Sequence, residues 1–367
     1  MNNKIIKNDF FEQAVLKGKT QLLNKFTPSA VERTVGNDIF FEIPKDSDHF
    51  LINRRIEQLI LSSIPVNSSC CGFVKGKSYL DFLKPHIKGY YFLRLDIKDF
   101  FHSIQLSDIK ALLGDYFEDD KKSFKYSPLD IALMSLTHSV SSTHPAKDMR
   151  GKTILPIGFP SSPVISNILF RKVDITIQKF CEDKKITYSR YADDLLFSST
   201  SSRFLHSEQF EKEISIFISM LTLRLKRKKR IAGENTISLN GYTIQNKKKS
   251  NVSFLRDYQQ DPIGSIRLSN KKLKTLKKLA ASLIKKHSAV SIMENLFGLS
   301  FQKFKRNHFP DKNFYRKYAR DQLQNKLKGY RSYLISWVIF DDKHSCVASD
   351  FLLTARCLID IYEKNIE

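Results

Sequence analysis

Apolar positions recur along the chain with two periods, one helical and one extended. At 50–63, Leu51, Ile52, Ile56, Leu59 and Ile60 repeat at helical spacing until Pro65 stops the pattern. Residues 78–86, 129–136 and 210–223 also predict helices. Another opens at Ser161 or Ser162 as N-cap with Pro163 in its first turn, and Val164, Ile165, Ile168, Leu169 and Val173 form its buried stripe. Continuous apolar runs predict strands at 39–43, ending at Pro44, and at 90–97, where the run implies burial on both faces. Two short strands at 186–199 meet at Ala192-Asp193-Asp194, and 236–244 returns to strand. The first 35 residues read as polar and helical, with Phe10, Phe11, Val15, Leu22, Leu23 and Phe26 as the apolar set. Residues 139–152 read as a polar loop. After 265, Leu273, Leu276, Leu279 and Leu283 recur among lysines, which predicts a basic amphipathic helix opening an all-α region.

Composition narrows the classes. The 367 residues are 41% hydrophobic, with 28 Phe and 14 Tyr, enough to bury a sizeable core and to exclude disorder as the main state. The longest apolar stretches, such as 333–340, fall far short of the ~20 residues of a membrane span. The N-terminal residues lack the pattern of a secretory leader, so a cytoplasmic protein without a membrane is expected. Five cysteines (Cys70, Cys71, Cys181, Cys346, Cys357) without Cys-x-x-Cys spacing read as reduced thiols. The formal charge of +23, from 61 Lys plus Arg against 38 Asp plus Glu, predicts a polyanionic partner, nucleic acid first.

Two segments carry candidate chemistry. In Leu93-Arg94-Leu95-Asp96-Ile97-Lys98-Asp99-Phe100-Phe101 an acid ends an apolar strand, where a charge is costly unless paired. In Tyr188-Ser189-Arg190-Tyr191-Ala192-Asp193-Asp194-Leu195-Leu196-Phe197 two adjacent carboxylates occupy a tight turn between apolar strands. Asp also favours turns for conformational reasons alone. Residues in a turn can both aim at one point, whereas in a strand they face opposite ways. If the Asp96 strand lies beside that hairpin, Asp96, Asp193 and Asp194 converge. Such a cluster repels itself without cations, and its hard oxygens suit Mg²⁺. Two such ions, about 4 Å apart, stabilise the attacking and leaving oxygens of a phosphoryl transfer.

Tyr191-Ala192-Asp193-Asp194 resembles the signature hairpin of reverse transcriptases, and Leu95-Asp96-Ile97-Lys98-Asp99-Phe100-Phe101 resembles their first catalytic strand. Leu155-Pro156-Ile157-Gly158-Phe159-Pro160-Ser161-Ser162-Pro163 is similar to the loop between them. Order and spacing resemble prokaryotic members, most closely the retron and phage-defence enzymes, from about residue 40 to 335. The resemblance implies an α+β, right-hand polymerase fold. N-terminal helices and fingers would occupy 1–90, and the palm with an interleaved fingers segment 91–235. A primer-grip-like hairpin and connection would follow at 236–264, then a helical thumb and C-terminal region at 265–367.

The resemblance also implies roles, residue by residue. Asp96, Asp193 and Asp194 would be the catalytic, metal-binding triad for two Mg²⁺ ions, with Mn²⁺ as an alternative. Asp99 and Phe100 would line the triphosphate pocket through backbone groups, and Phe101 would be the steric gate against a ribose 2′-OH, favouring dNTPs. Gly158 would admit close backbone approach to the nucleotide, and Lys229 would neutralise or protonate the leaving pyrophosphate. Lys75 and Lys77 in a fingers loop, Gly241 in the primer grip, and Lys271, Lys274 and Lys278 on the thumb helix would meet nucleic acid. Three departures stand out. Ile157 replaces a usual Gln. The fingers strand lacks its usual Arg, leaving Arg33, Lys45 or Arg54 as substitutes. Around His86 and at Leu239-Asn240-Gly241 the retron motifs are only partly kept.

The implied function is RNA-directed DNA synthesis on a bound, structured non-coding RNA, giving an msDNA-type RNA–DNA product in a retron anti-phage system. Its partners would be that RNA, the RNA–DNA hybrid, dNTPs and a separate effector protein. No RNase H domain is expected in the residues from 336 to 367. One alternative is a non-retron defence enzyme making protein-primed or untemplated DNA. Another is a non-catalytic RNA-binding scaffold, against which the three carboxylates argue.

Overall fold

A computed structural model describes residues 6–36, 38–246, 264–300 and 311–367. The chain divides into two units, one of residues 1–85 with 91–232 and one of 86–90 with 233–367. Of the expected hairpin and connection at 236–264, residues 247–263 lie outside the described residues, as do residues 1–5 of the N-terminal stretch.

In the first unit the antiparallel sheet is built on Tyr91–Asp96, the expected strand buried on both faces. Its neighbour Asp194–Ser199 pairs in turn with Thr187–Tyr191, and the far edge strand, Ile231–Glu234, carries the chain toward the second unit. The apolar runs of these strands face the helix Ser162–Asp183 through Ile165, Phe170, Val173 and Ile177. The helix Glu208–Ser219 adds Phe210, Ile214 and Ile218 to the same core.

Serine side chains cap several helices. Ser47 accepts a hydrogen bond from the Phe50 amide at the head of Asp48–Leu59. Ser78 with Asp81, and Ser127 with Asp130, form reciprocal capping boxes before Tyr79–Leu83 and Pro128–Leu136. The long helix is the exception. Ser161 has helical dihedrals and makes no capping bond; its hydroxyl accepts from Asn53, and the Ser162 hydroxyl donates to the Pro156 carbonyl. Both hydroxyls anchor the preceding loop instead of starting the helix.

The expected N-terminal helical region is only partly helical. Short turns at Asn8–Phe10, Phe11–Val15 and Leu22–Lys25 bury Phe11, Val15, Leu23 and Phe26, whereas Phe10 is exposed. Val31–Val35 is a strand, paired antiparallel with Asp38–Glu42. All five of its residues are exposed, so no core face imprinted a period on the sequence. The predicted polar loop at 139–152 is closed at its base by pairing of His138–Ser139 with Thr153–Ile154.

The second unit has a three-stranded antiparallel sheet, ordered Ser265–Leu268, Tyr242–Gln245, Thr236–Leu239. The strand Ser265–Leu268 therefore precedes the region read as all-α. Helices Asn270–Ile284, Ala289–Phe297, Lys312–His344 and Ser349–Glu363 follow. Leu276, Leu279 and Leu283 are buried as the pattern required and Leu273 is half-buried; Leu327, Trp337 and Tyr362 of the later helices are buried as well. Strands and helices thus mix in an α+β arrangement. No described helix is long and apolar enough to cross a membrane. All five cysteines are free thiols, four of them buried and Cys357 exposed.

Candidate active site

The two predicted carboxylate segments meet. The register of the sheet sets Asp96 directly opposite Asp194, at the end of their shared ladder. Tyr191 closes the hairpin by pairing with Asp194, which leaves Ala192 and Asp193 as a two-residue turn. Ala192 takes φ 55°, the left-handed conformation that tight hairpins require. The Asp193 carbonyl accepts from the Ile97 amide at 3.0 Å, tying the turn to the strand that carries Asp96.

Like charges facing each other across a ladder are destabilising, and two cations offset them here. The Arg94 guanidinium donates from Nε to Asp194 Oδ1 at 2.7 Å and bonds the same oxygen through Nη2, which also reaches Asp96 Oδ2 at 3.2 Å. Lys229 Nζ donates to the same Asp96 oxygen at 2.8 Å, and that bond, more than burial opposes it, raises the lysine's pKa. Burial, with Asp194 and Asp96 close by, pushes the Asp193 carboxyl up from its ordinary value. Asp96 is buried, and its Oδ1 has no hydrogen-bond partner among the described residues.

That donor set fits hard divalent cations: carboxylate oxygens only, one of them buried and unsatisfied. Among the described residues no group of three or more His, Cys, Asp and Glu side chains is arranged as a cage for an ion. Arg94 and Lys229 take up the negative charge of Asp96 and Asp194 instead.

A second layer fixes the turn. Arg190 is fully buried, and its guanidinium donates to Asp174 at 2.7 and 2.9 Å, to Asn167 Oδ1 at 3.0 Å and to the Ala192 carbonyl at 3.1 Å. Asn167 Nδ2 donates onward to the Gly72 carbonyl at 2.8 Å. Gly72 itself lies flat against the hairpin, and a Cβ there would stand 2.5 Å from the Ala192 amide nitrogen. Arg190 of the hairpin, Asn167 and Asp174 of the helix Ser162–Asp183 and the backbone at Gly72 thus hold the turn at Ala192.

The remaining expected residues fall in several places. Asp99 is exposed with φ 47° and heads the short helix Phe100–Ser103. The Phe100 ring is buried against Phe170, whereas Phe101 is half-buried and lies edge-on to Phe73 at 6.3 Å. Phe73 also approaches Tyr191, so the loop after Gly72 contributes an exposed ring beside the carboxylates. Gly158 takes φ 109°, and the close approach it makes is to the Phe41 carbonyl, 2.5 Å from where a Cβ would be. Lys75 is exposed, while Lys77 spends its ammonium on the Ser68 and Cys70 carbonyls of its own loop. Of the three substitute cations, Arg33 is ion-paired with Glu42 and Arg54 lies 3.8 Å from Glu57; Lys45 is exposed.

The second unit holds the others. Asn240 and Gly241, at φ 48° and 86°, form the turn between Thr236–Leu239 and Tyr242–Gln245. Lys271, Lys274 and Lys278 are exposed on Asn270–Ile284. His86 is fully buried, and burial pushes its imidazole down to about 3.

The sequence alone assigns no role to Arg94 or Arg190. A signal was present for Arg94: it stands two positions before Asp96 on the same face of a buried strand, and such a charge needs a partner there.

Comparison with known proteins bears on this geometry. The family model described as reverse transcriptase (RNA-dependent DNA polymerase) matches residues 49–255. The Retron Ec83 reverse transcriptase of Escherichia coli is 33% identical over 148 residues, 40% of this chain and 45% of that protein. The Retron Mx162 reverse transcriptase of Myxococcus xanthus is 32% identical over 146 residues, 39% of this chain and 30% of that protein. The chain thus spans less than half the length of either relative. Among solved structures, a telomerase from Candida albicans with a fragment of telomeric RNA overlays 94% of this chain and 64% of its own. That overlay has a TM-score of 0.43 and 12% identity.

Proposed function

Because the chain belongs to the reverse transcriptase family, we propose that it is an RNA-directed DNA polymerase with Asp96, Asp193 and Asp194 as its metal-binding carboxylates. The observation that carries this reading is the register that seats Asp96 opposite Asp194, with Asp193 in the adjoining turn. Opposing two buried acids costs a fold stability, and such a local conflict is expected where a function requires it. These three residues would hold divalent ions, Mg²⁺ in the first place; when bound, such ions stabilise charge on the attacking and leaving oxygens of phosphoryl transfer.

The chain's own residues supply the rest. Arg94, buried and bonded to Asp194, keeps that carboxylate aimed along the ladder. Lys229 is 45% exposed in its side chain and free to exchange Asp96 for a substrate phosphate. Phe101, half-buried beside Phe73, is the ring that a ribose 2′-OH would meet. Asp99, Phe100 and Gly158 are the backbone wall of the dNTP pocket. Lys75, Gly241, Lys271, Lys274 and Lys278 are assigned to template, primer and RNA phosphates, whereas Lys77, bonded to the Ser68 and Cys70 carbonyls, holds the loop that carries Lys75; the net charge supports a salt-sensitive affinity.

The similarity to retron enzymes supports a finer reading. The chain binds a structured non-coding RNA, primes from it and copies part of it into an msDNA-type RNA–DNA product, acting in the cytoplasm beside a separate anti-phage effector. Sequencing the nucleic acid that co-purifies with the wild type and with the Asp193→Ala/Asp194→Ala variant tests this. RNA joined to short DNA in the wild type, and RNA alone in the variant, is the expected result. Identical RNA without DNA in both would refute templated synthesis. DNA without a matching RNA would refute the retron assignment.

A further inference from the structure

The second unit contains a cleft of about 590 Å³ between the helices Asn270–Ile284 and Lys312–His344. Lys272 and Thr275 line one side, and Lys326, Gly329, Tyr330 and Tyr333 the other; among the described residues no Asp or Glu lines it. Its aromatic rings are held in place. Tyr330 stacks on Phe297, with ring centroids 6.3 Å apart and planes 27° apart, and the Lys326 ammonium stands 4.3 Å from the Phe297 centroid. Tyr333 is edge-on to the buried Trp337. Lys272 lies 5.0 Å from the Tyr242 ring and donates to the Asn240 carbonyl at 3.0 Å. Rigid tyrosines between fixed ammonium groups make a surface for flat, anionic ligands.

Gly329 is a separate observation. It sits near the middle of a 33-residue helix, where glycine weakens the helix relative to alanine. Packing among the described residues does not require it, because a Cβ there would meet none of them within 4 Å. Gly72 differs, since its missing side chain makes room for the hairpin. At Gly329 the open space belongs to the cleft, and a ligand laid against the helix backbone would use it.

We infer that this cleft binds unpaired nucleotides of RNA, with bases lying on Tyr330 and Tyr333 and phosphates facing Lys272 and Lys326. The inference rests on the reading of the chain as an RNA-binding polymerase. It adds a single-strand site to the phosphate contacts assigned to Lys271, Lys274 and Lys278. Stacking tolerates any base, so the cleft would hold a strand without reading its sequence.

The test uses the full chain and a short fluorescent oligouridylate, followed by anisotropy at fixed salt. Tyr330→Ala is expected to weaken binding about tenfold, the order of one lost base stack. Gly329→Leu, which fills the cleft and removes no charge, should weaken it comparably, while Gly329→Ala should raise the melting temperature. Ultraviolet cross-linking of the oligouridylate to the wild type should place the adduct on the peptide carrying Tyr330 and Tyr333. Unchanged affinity in folded Tyr330→Ala and Gly329→Leu, or adducts confined to other peptides, would overturn the inference. So would an RNA duplex that competes as well as the single strand. Nucleotide incorporation by the wild type on a generic template–primer is measured separately. If that fails while the cross-link maps to Tyr330, the polymerase reading falls and the cleft stands.

Discussion

Removing the charge of Asp174 should unseat the hairpin that carries Asp193. Asp174 and Arg190 are both fully buried, and Asp174 is the only carboxylate to which Arg190 is bonded among the described residues. Asp174→Asn keeps the shape and removes the charge, leaving a guanidinium in the core with Asn167, the Ala192 carbonyl and Cys70 as its other partners. Breaking a buried pair from one side costs about 3–5 kcal/mol. The Tyr188 hydroxyl, which donates to Asp174 at 2.8 Å, loses a charged acceptor as well and favours the upper part of that range. For a unit of this size, a loss of about 3–5 kcal/mol lowers the melting temperature by roughly 6–20 °C. Calorimetry would read the shift in the transition of the first unit. Arg190→Met combined with Asp174→Leu should recover part of the loss, because no charge is then stranded. An Asp174→Asn protein melting within about 2 °C of the wild type would refute the reasoning, as would strict additivity in the double variant.

Other outcomes follow from the same geometry. Gly72→Ala would force its new methyl against the Ala192 amide, 2.5 Å away; primer extension should fall by more than tenfold, about 1.4 kcal/mol or more in the barrier. Unchanged kcat in that variant would show that the loop yields without moving the turn. Phe101→Ala should raise ribonucleotide incorporation relative to deoxyribonucleotide, read from the ratio of kcat/KM for the two substrates. The His86 imidazole is held neutral in the fold, with its pKa lowered from 6.5 to about 3. The unfolded chain therefore takes up the proton first: stability is full above pH 6.5, declines as pH falls toward 3, and then levels, by at most about 1.4 kcal/mol per pH unit. His86→Gln should flatten urea-unfolding midpoints over that window, and an unaltered slope would assign the acid sensitivity elsewhere.

Much of the site was legible because its strands are buried. Residues 90–97 and 186–199 announce themselves as apolar runs, and an acid at the end of one and two in the turn of the other could be placed without coordinates. The helix stripes at Ile52 and Ile56, and at Ile165 and Val173, were legible for the same reason. Val31–Val35 was not, since it is exposed throughout and owes its conformation to pairing with Asp38–Glu42. The hydroxyls of Ser161 and Ser162 were misread because a local capping rule competes with partners at Asn53 and Pro156 that only the tertiary fold supplies. The network through Arg190, Asp174, Asn167 and Gly72 joins segments far apart in the chain. No periodicity encodes which acid a buried arginine will meet.

The facing of Asp96 and Asp194 also bears on how such a chain can change in length. Side chains alternate faces along a strand, so a slip of one residue between Tyr91–Asp96 and Asp194–Ser199 would turn one acid away from the other. A slip of two would restore the face but separate the acids by ~6.6 Å. Insertions and deletions are therefore barred at the carboxylate end of this ladder. At the other end, where Tyr91 pairs with Ser199, the strands can lengthen or shorten without shifting the acids. Length variation among functional descendants of this sequence should collect at that end and in the exposed hairpin at Val31–Val35.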